Sequence, residues 1–174
     1  MSDPSAGEGG SGAEGADVSG VDADIDSLLL DSMLGKLATY LRMCGYDAAY
    51  VLDDGPDPGD DAVLDWAREE GRTLVTRDRR LAARADRSVL LSSKAVTDQL
   101  AEFAAAGYPV ELGDRPTRCG SCNAPVAPVD AGESVPDYAP DPAERPLWRC
   151  RDCEQVFWRG SHWTDVAERL DAVG

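Results

Sequence analysis

Apolar and polar positions alternate along this chain between short buried runs and longer amphipathic stretches. SLLL at 27–30 is brief enough for a single strand. After it, Ser32 to Cys44 sets Leu34, Leu37, Ala38 and Leu41 on one helical face and stops at Gly45. A second strand is predicted at 48–52. The turn-rich loop DDGPDPGDD then leads into a helix from Ala62 to Glu70 that ends at Gly71. RTLVT at 72–76 reads as a third strand, Asp78 opens an Arg-rich helix, and 88–91 is a fourth strand. Val96, Leu100, Phe103 and Ala104 mark the inner face of one more helix before Gly107.

Strands alternating with helices of this length imply right-handed crossovers and a parallel sheet covered on both faces, an α/β fold. Ligands of such sheets bind outside the carboxyl ends of the strands. Asp31 falls just past the first strand, Asp78 just past the third, and Asp60 and Asp61 at the start of the helix after the second. Each acid has two readings: it caps the helix that follows, or it leans over the sheet's edge and holds a metal. Gathering carboxylates costs mutual repulsion, which a hard divalent cation offsets. Mg²⁺ or Mn²⁺ there would activate a water for attack on a phosphodiester.

Composition changes this picture at the amino end and in the surface charge. Residues 1–25 are Gly, Ser, Ala and acid with almost nothing to bury, so they read as a disordered acidic tail. The α/β domain is predicted over 26–113, and a smaller module over 114–174. No apolar run approaches the roughly 20 residues of a membrane span. The tail has neither the basic start nor the apolar centre of a secretory signal, so a cytoplasmic location is expected. Against 33 acidic residues stand 17 basic ones, a net charge of −16, and only Lys36 and Lys94 are lysine. Such a surface suits a halophilic, salt-rich interior, where screening relieves self-repulsion. It also repels polyanions, except locally: residues 68–87 hold seven arginines against four acids. That stretch is either a basic nucleic-acid face or a solvated helix laced with ion pairs.

Cys119-x-x-Cys122 and Cys150-x-x-Cys153 are two knuckles that can present four thiolates to one tetrahedral Zn²⁺. Disulfides fit poorly with this spacing and with the expected compartment. With sulfur filling every ligand place, the zinc is structural. Cys44, the fifth cysteine, reads as a small buried hydrophobe. Trp148, Phe157, Trp158 and Trp163 lie among Arg145, Arg149, Arg151 and Arg159, and either stack bases beside phosphate-binding cations or pack the ribbon on the larger domain. His162, the sole histidine, follows Ser161, a candidate cap for the last helix, and is expected to make a structural hydrogen bond.

DSMLGKLATYLRMCGYD, EEGRTLVTRDRRL and the paired-cysteine segment ending in FWRGSHW together resemble the Mut-seven carboxy-terminal RNase domain, a branch of the PIN-like nucleases. The resemblance covers residues 27–170. It implies a PIN-like parallel sheet flanked by helices, followed by a small zinc ribbon, and a metal-dependent ribonuclease acting on RNA. Carried over by position, Asp31, Asp61 and Asp78 are the implied catalytic residues and ligands of Mg²⁺ or Mn²⁺, with Asp60 a less direct match than Asp61. Lys36, Arg42, Arg77 and Arg79 are candidate RNA contacts or, equally, ion-pair partners of the same acids. Thr76 either orients a ligand or is an ordinary strand residue. The chain departs from the family where a further carboxylate often follows the fourth strand: Ser92 and Ser93 stand there, and Asp98 lies inside the next helix. The expected function is therefore RNA phosphodiester hydrolysis, probed against an alternative, a non-catalytic RNA-binding adaptor using the ribbon and the Arg-rich helix.

Overall fold

The computed structural model describes residues 27–173, so the predicted acidic tail lies outside the described residues. Its first unit is a mixed α/β layer built as the hydrophobic pattern requires. Strand β1 (Leu28–Leu30) is followed by a 3₁₀ turn (Ser32–Leu34) and helix α1 (Gly35–Met43). Next come β2 (Ala48–Tyr50), α2 (Asp60–Glu69), β3 (Thr73–Thr76), α3 (Arg79–Arg84), β4 (Ser88–Leu90) and α4 (Val96–Ala105). The strands form one parallel sheet in the order β2-β1-β3-β4, with Leu29 of β1 paired to Ala49 and to Leu74.

Alternation along each strand divides the core. Leu28 and Leu30 face Leu37 and Leu41 of α1 and Leu100 and Phe103 of α4, while Leu29 and Leu74 face Val63, Leu64 and Ala67 of α2 and Leu81 of α3. Both faces of β1 and β3 are covered, whereas β4 at the sheet's edge buries Val89 and leaves Ser88 and Leu90 exposed. Two element starts differ from the sequence reading. The Asp31 side chain caps a 3₁₀ turn, so α1 proper begins at Gly35, and α2 begins at Asp60, placing Asp60 and Asp61 inside its first turn, where the helix dipole favours negative charge.

The second unit is a three-stranded antiparallel sheet of β5 (Val126–Pro128), β6 (Leu147–Cys150) and β7 (Val156–Trp158), followed by helix α5 (Ser161–Asp171). That helix follows the ribbon in sequence, yet Val166 and Leu170 join the core of α1 and α4. Arg169 donates to the Tyr40 hydroxyl at 2.9 Å. A second tie is polar: Asn123 donates to Asp47 at 2.7 Å and accepts from the Ala48 N–H at 2.9 Å, while Arg72 donates to Asp47 at 3.0 Å. Among the described residues no helix is long and apolar enough to cross a membrane.

Candidate functional site

Two sets of side chains carry chemistry: the acids at the carboxyl edge of the parallel sheet and the four cysteines of the ribbon. Where β1 ends, Asp31 is only 7 % exposed. Its Oδ1 accepts from the Ser32 N–H at 2.6 Å and its Oδ2 from the Thr76 hydroxyl at 2.6 Å. Thr76 is fully buried at the end of β3, and its Oγ1 also accepts from the Asp78 N–H at 2.9 Å. One hydroxyl thus links Asp31 to the backbone of Asp78. The Asp78 side chain caps α3, with the N–H groups of Arg80 (2.7 Å) and Leu81 (3.1 Å) both donating to Oδ1. Capping and edge position hold together for Asp31 and Asp78, since a carboxylate offers about four lone-pair sites.

Asp31 has an unusual electrostatic setting. Among the described residues no arginine or lysine forms a salt bridge with it. The Tyr50 hydroxyl nearby donates to the Ser32 carbonyl at 2.7 Å, and burial followed by the charges of Asp53, Asp31 and Asp57 pushes the phenol above its ordinary value. The Tyr50 ring approaches the start of α1 closely because position 35 is glycine: a Cβ there would come within 2.9 Å of the ring and of its hydroxyl oxygen.

The remaining predicted residues distribute differently. Asp61 is exposed at the start of α2, and its carboxylate pairs with Arg84 of α3. Asp60, also exposed, lies beside it. Among the described residues, the cysteines form the group of three or more ligand atoms lying within 4.8 Å of one another; Asp31, Asp61 and Asp78 are not drawn together to that distance. Lys36 and Arg79 are exposed and Arg77 is half-buried, with its Nε shielded and without a hydrogen-bond partner. Arg42, expected as an RNA contact or an ion-pair partner of the edge acids, is in an ion pair, with Asp53 rather than with one of those acids. It is 2 % exposed, donates to the carbonyls of Ala48 (2.9 Å), Gly120 (3.3 Å) and Ser121 (3.0 Å), and pairs with Asp53. Its guanidinium is consumed in bolting the first knuckle to the α/β layer.

Glu102 was not legible in the sequence as part of this edge. From α4 it reaches the segment after β4, accepting from Ser92 N–H (2.6 Å), Ser93 N–H (3.2 Å) and Ser93 Oγ (2.6 Å). These donors, with the Arg77 charge, hold its carboxyl below the usual range. No local motif announces such a contact, which spans a loop and a helix. Thr76 did carry a signal: a hydroxyl two residues before a helix-capping Asp can accept that residue's N–H.

In the ribbon, Cys119 and Cys153 sulfurs lie 3.6 Å apart and those of Cys122 and Cys150 3.4 Å apart. A tetrahedral zinc with Zn–S bonds of about 2.3 Å separates its sulfurs by about 3.8 Å. Each knuckle turns back through a residue with positive φ just after its second cysteine, Asn123 (68°) and Glu154 (59°). Burial pushes the Cys119 and Cys122 thiols up. At Cys150 burial is outweighed by the N–H groups of Asp152 and Cys153, and the pKa falls. Four sulfurs converging so closely could bind a structural metal such as zinc.

A four-stranded parallel sheet flanked by helices, with buried and capping acids at its carboxyl edge and a four-cysteine cluster towards the carboxyl end of the chain, defines an α/β fold whose cysteine cluster is consistent with a zinc ribbon. A family model described as the Mut7-C RNAse domain matches residues 26–170. The chain belongs to the Mut7-C RNAse domain family, which points to nuclease function and to RNA as the substrate class. No curated protein and no solved structure matches it.

Proposed function

We propose that this protein is a metal-dependent ribonuclease of the PIN-like class, hydrolysing RNA phosphodiester bonds endonucleolytically with Mg²⁺ or Mn²⁺ held at the carboxyl edge. The observation that carries the proposal is Asp31: a nearly buried carboxylate supplied with neutral donors and no protein cation. Buried charges are paired or coordinate metals, and an all-oxygen donor set suits a hard divalent ion. Asp31 and Asp78, coupled through Thr76, form the core of the site, and Asp61 completes it on release from Arg84. The bound ion would supply an activated water and a counter-charge for the phosphodiester. Around it, Thr76 holds the Asp31 rotamer, and exposed Lys36 and Arg79, with Arg77, offer charge to phosphates. No side chain acts as nucleophile. The zinc holds the ribbon, and we read the protein's setting as a cytoplasm of high salt.

The purified protein should cleave RNA in Mn²⁺ at high KCl, and Asp31→Asn should lower the rate at least about a hundredfold. Wild-type cleavage by the variant would remove Asp31 from the site. The adaptor reading has its own supporting observations: the segment after β4 carries Ser92 and Ser93, the Glu102 carboxylate that reaches it is already engaged by them, and Asp61 is paired with Arg84. It requires RNA binding that is indifferent to Mn²⁺ and no cleavage.

A further inference from the structure

A cavity of about 450 Å³, lined by none of the edge acids, is walled by α1, the ribbon and the first turn of α5. That volume is within the range of small-molecule sites. Its walls are aromatic: Tyr138, Phe157, Trp158 and Trp163, with Met43 from α1. Tyr138 stands at its mouth with 56 % of its surface exposed, a large apolar ring left in solvent. The ring does not swing freely, because its hydroxyl accepts from the Val156 N–H at 3.0 Å. It is roughly parallel to the Trp158 indole, with centroids 6.4 Å apart and planes 30° apart. Trp158 in turn lies against the bare backbone of Gly160, where a Cβ would come within 2.7 Å of the indole nitrogen.

Polar groups sit between these rings. Gln155, Ser161 and His162 line the same cavity, and the Gln155 amide oxygen already accepts from Ser121 Oγ at 2.6 Å, leaving its NH₂ to donate. Apolar planes with a few hydrogen-bonding edges match one ligand class in particular, a flat heterocycle with donors and acceptors on its rim. A path to the acidic edge exists on α1, whose Lys36, Thr39 and Met43 follow at i, i+3 and i+7 and so share a face. Lys36 stands in the first turn of α1, directly after the 3₁₀ turn that Asp31 caps, while Thr39 and Met43 line the cavity.

We infer that this cavity takes an unpaired nucleobase of the bound RNA, stacked on the pinned Tyr138 ring and held beside Trp158, while the strand runs along α1 to the acidic edge. The inference rests on RNA being the substrate. It makes the protein selective for single-stranded over duplex RNA, since a paired base cannot leave its stack without cost. It also explains how so acidic a chain holds a polyanion: stacking is far less sensitive to net charge than phosphate contacts are.

The test uses the full chain with zinc bound, in buffer free of Mg²⁺ and Mn²⁺, and a fluorescein-labelled single-stranded RNA with a set of copies each carrying one abasic position. Tyr138→Ala should weaken binding of the intact strand about tenfold. One abasic position should weaken the wild type similarly, and at that position the Tyr138→Ala variant should lose little more. Tyr138→Trp, which keeps a stacking face, should restore most of the affinity. Equal losses on intact and all abasic strands, no loss at all, or a duplex bound as tightly as the single strand would overturn the inference. Absence of any RNA binding would also overturn it. Binding that behaves as expected, without cleavage on adding Mn²⁺, would instead refute only the nuclease reading.

Discussion

Thr76 shows how much a single hydroxyl can organise. Buried at the end of β3, it gives Asp31 a donor and the Asp78 N–H an acceptor. Thr76→Val keeps the shape but leaves Asp31 one donor short and that N–H unmet, at a cost of about 1–3 kcal/mol in urea unfolding. Mn²⁺-dependent cleavage should fall with it, and Thr76→Ser should recover both. Arg42 makes the opposite point, since a cation beside a proposed nucleic-acid site turns out to be a strut. Removing it with Arg42→Ala strands Asp53 and several carbonyls, and about 3 kcal/mol or more should be lost in the same measurement. Cys44 is the third residue whose environment decides its chemistry. Burial, and then the charge of Glu111, raises its thiol to about 12, so in the native protein it should resist alkylation at neutral pH while the denatured chain reacts.

Among the elements, β5, β6 and β7 are the ones a metal at the four cysteines would stabilise most. Three short strands carry few buried apolar residues of their own, and a metal held by the four cysteines would supply the missing free energy. Chelation, or Cys153→Ser, should abolish ribbon order by amide exchange while the parallel sheet persists. The joint between ribbon and sheet is polar and titratable. At Asp47 burial raises the pKa, but hydrogen bonds from Arg72 and Asn123 and the charges of Arg72 and Arg118 outweigh it, and the net shift is downward. A carboxyl lowered in the folded state contributes stability that is complete above its unfolded pKa of about 3.9 and is lost as pH falls through the folded value. The urea midpoint of the wild type should therefore drop more steeply below about pH 4 than that of Asp47→Asn.

For the molecule as a whole, net charge sets the response to salt. With −16 on 174 residues, self-repulsion opposes compaction, and screening relieves it. The melting temperature should rise between low and molar KCl, by several degrees for each 1 kcal/mol gained. Full stability at low salt would argue against a salt-rich setting. The same scale governs the tie between the two units, because α5 returns to the first core after the ribbon, so the chain enters and leaves the ribbon from one packed body.

Periodicity alone determined the alternation of strands and helices, and with it the parallel sheet, because strand and helix periods leave distinct marks in one dimension. Cysteine spacing likewise implied a four-sulfur cluster, since each knuckle is a local turn that brings its own two ligands together. Strand ends placed Asp31 and Asp78 at the carboxyl edge, and their motifs carried the family resemblance. Only the tertiary structure decided which partner each side chain met: Thr76 for Asp31, Arg84 for Asp61, two ribbon carbonyls for Arg42, and the Ser92–Ser93 backbone for Glu102. It alone placed α5 on the first core and opened the aromatic cavity beside it. Those contacts join residues far apart in the chain, and no local pattern encodes a distance that arises only when separate elements pack.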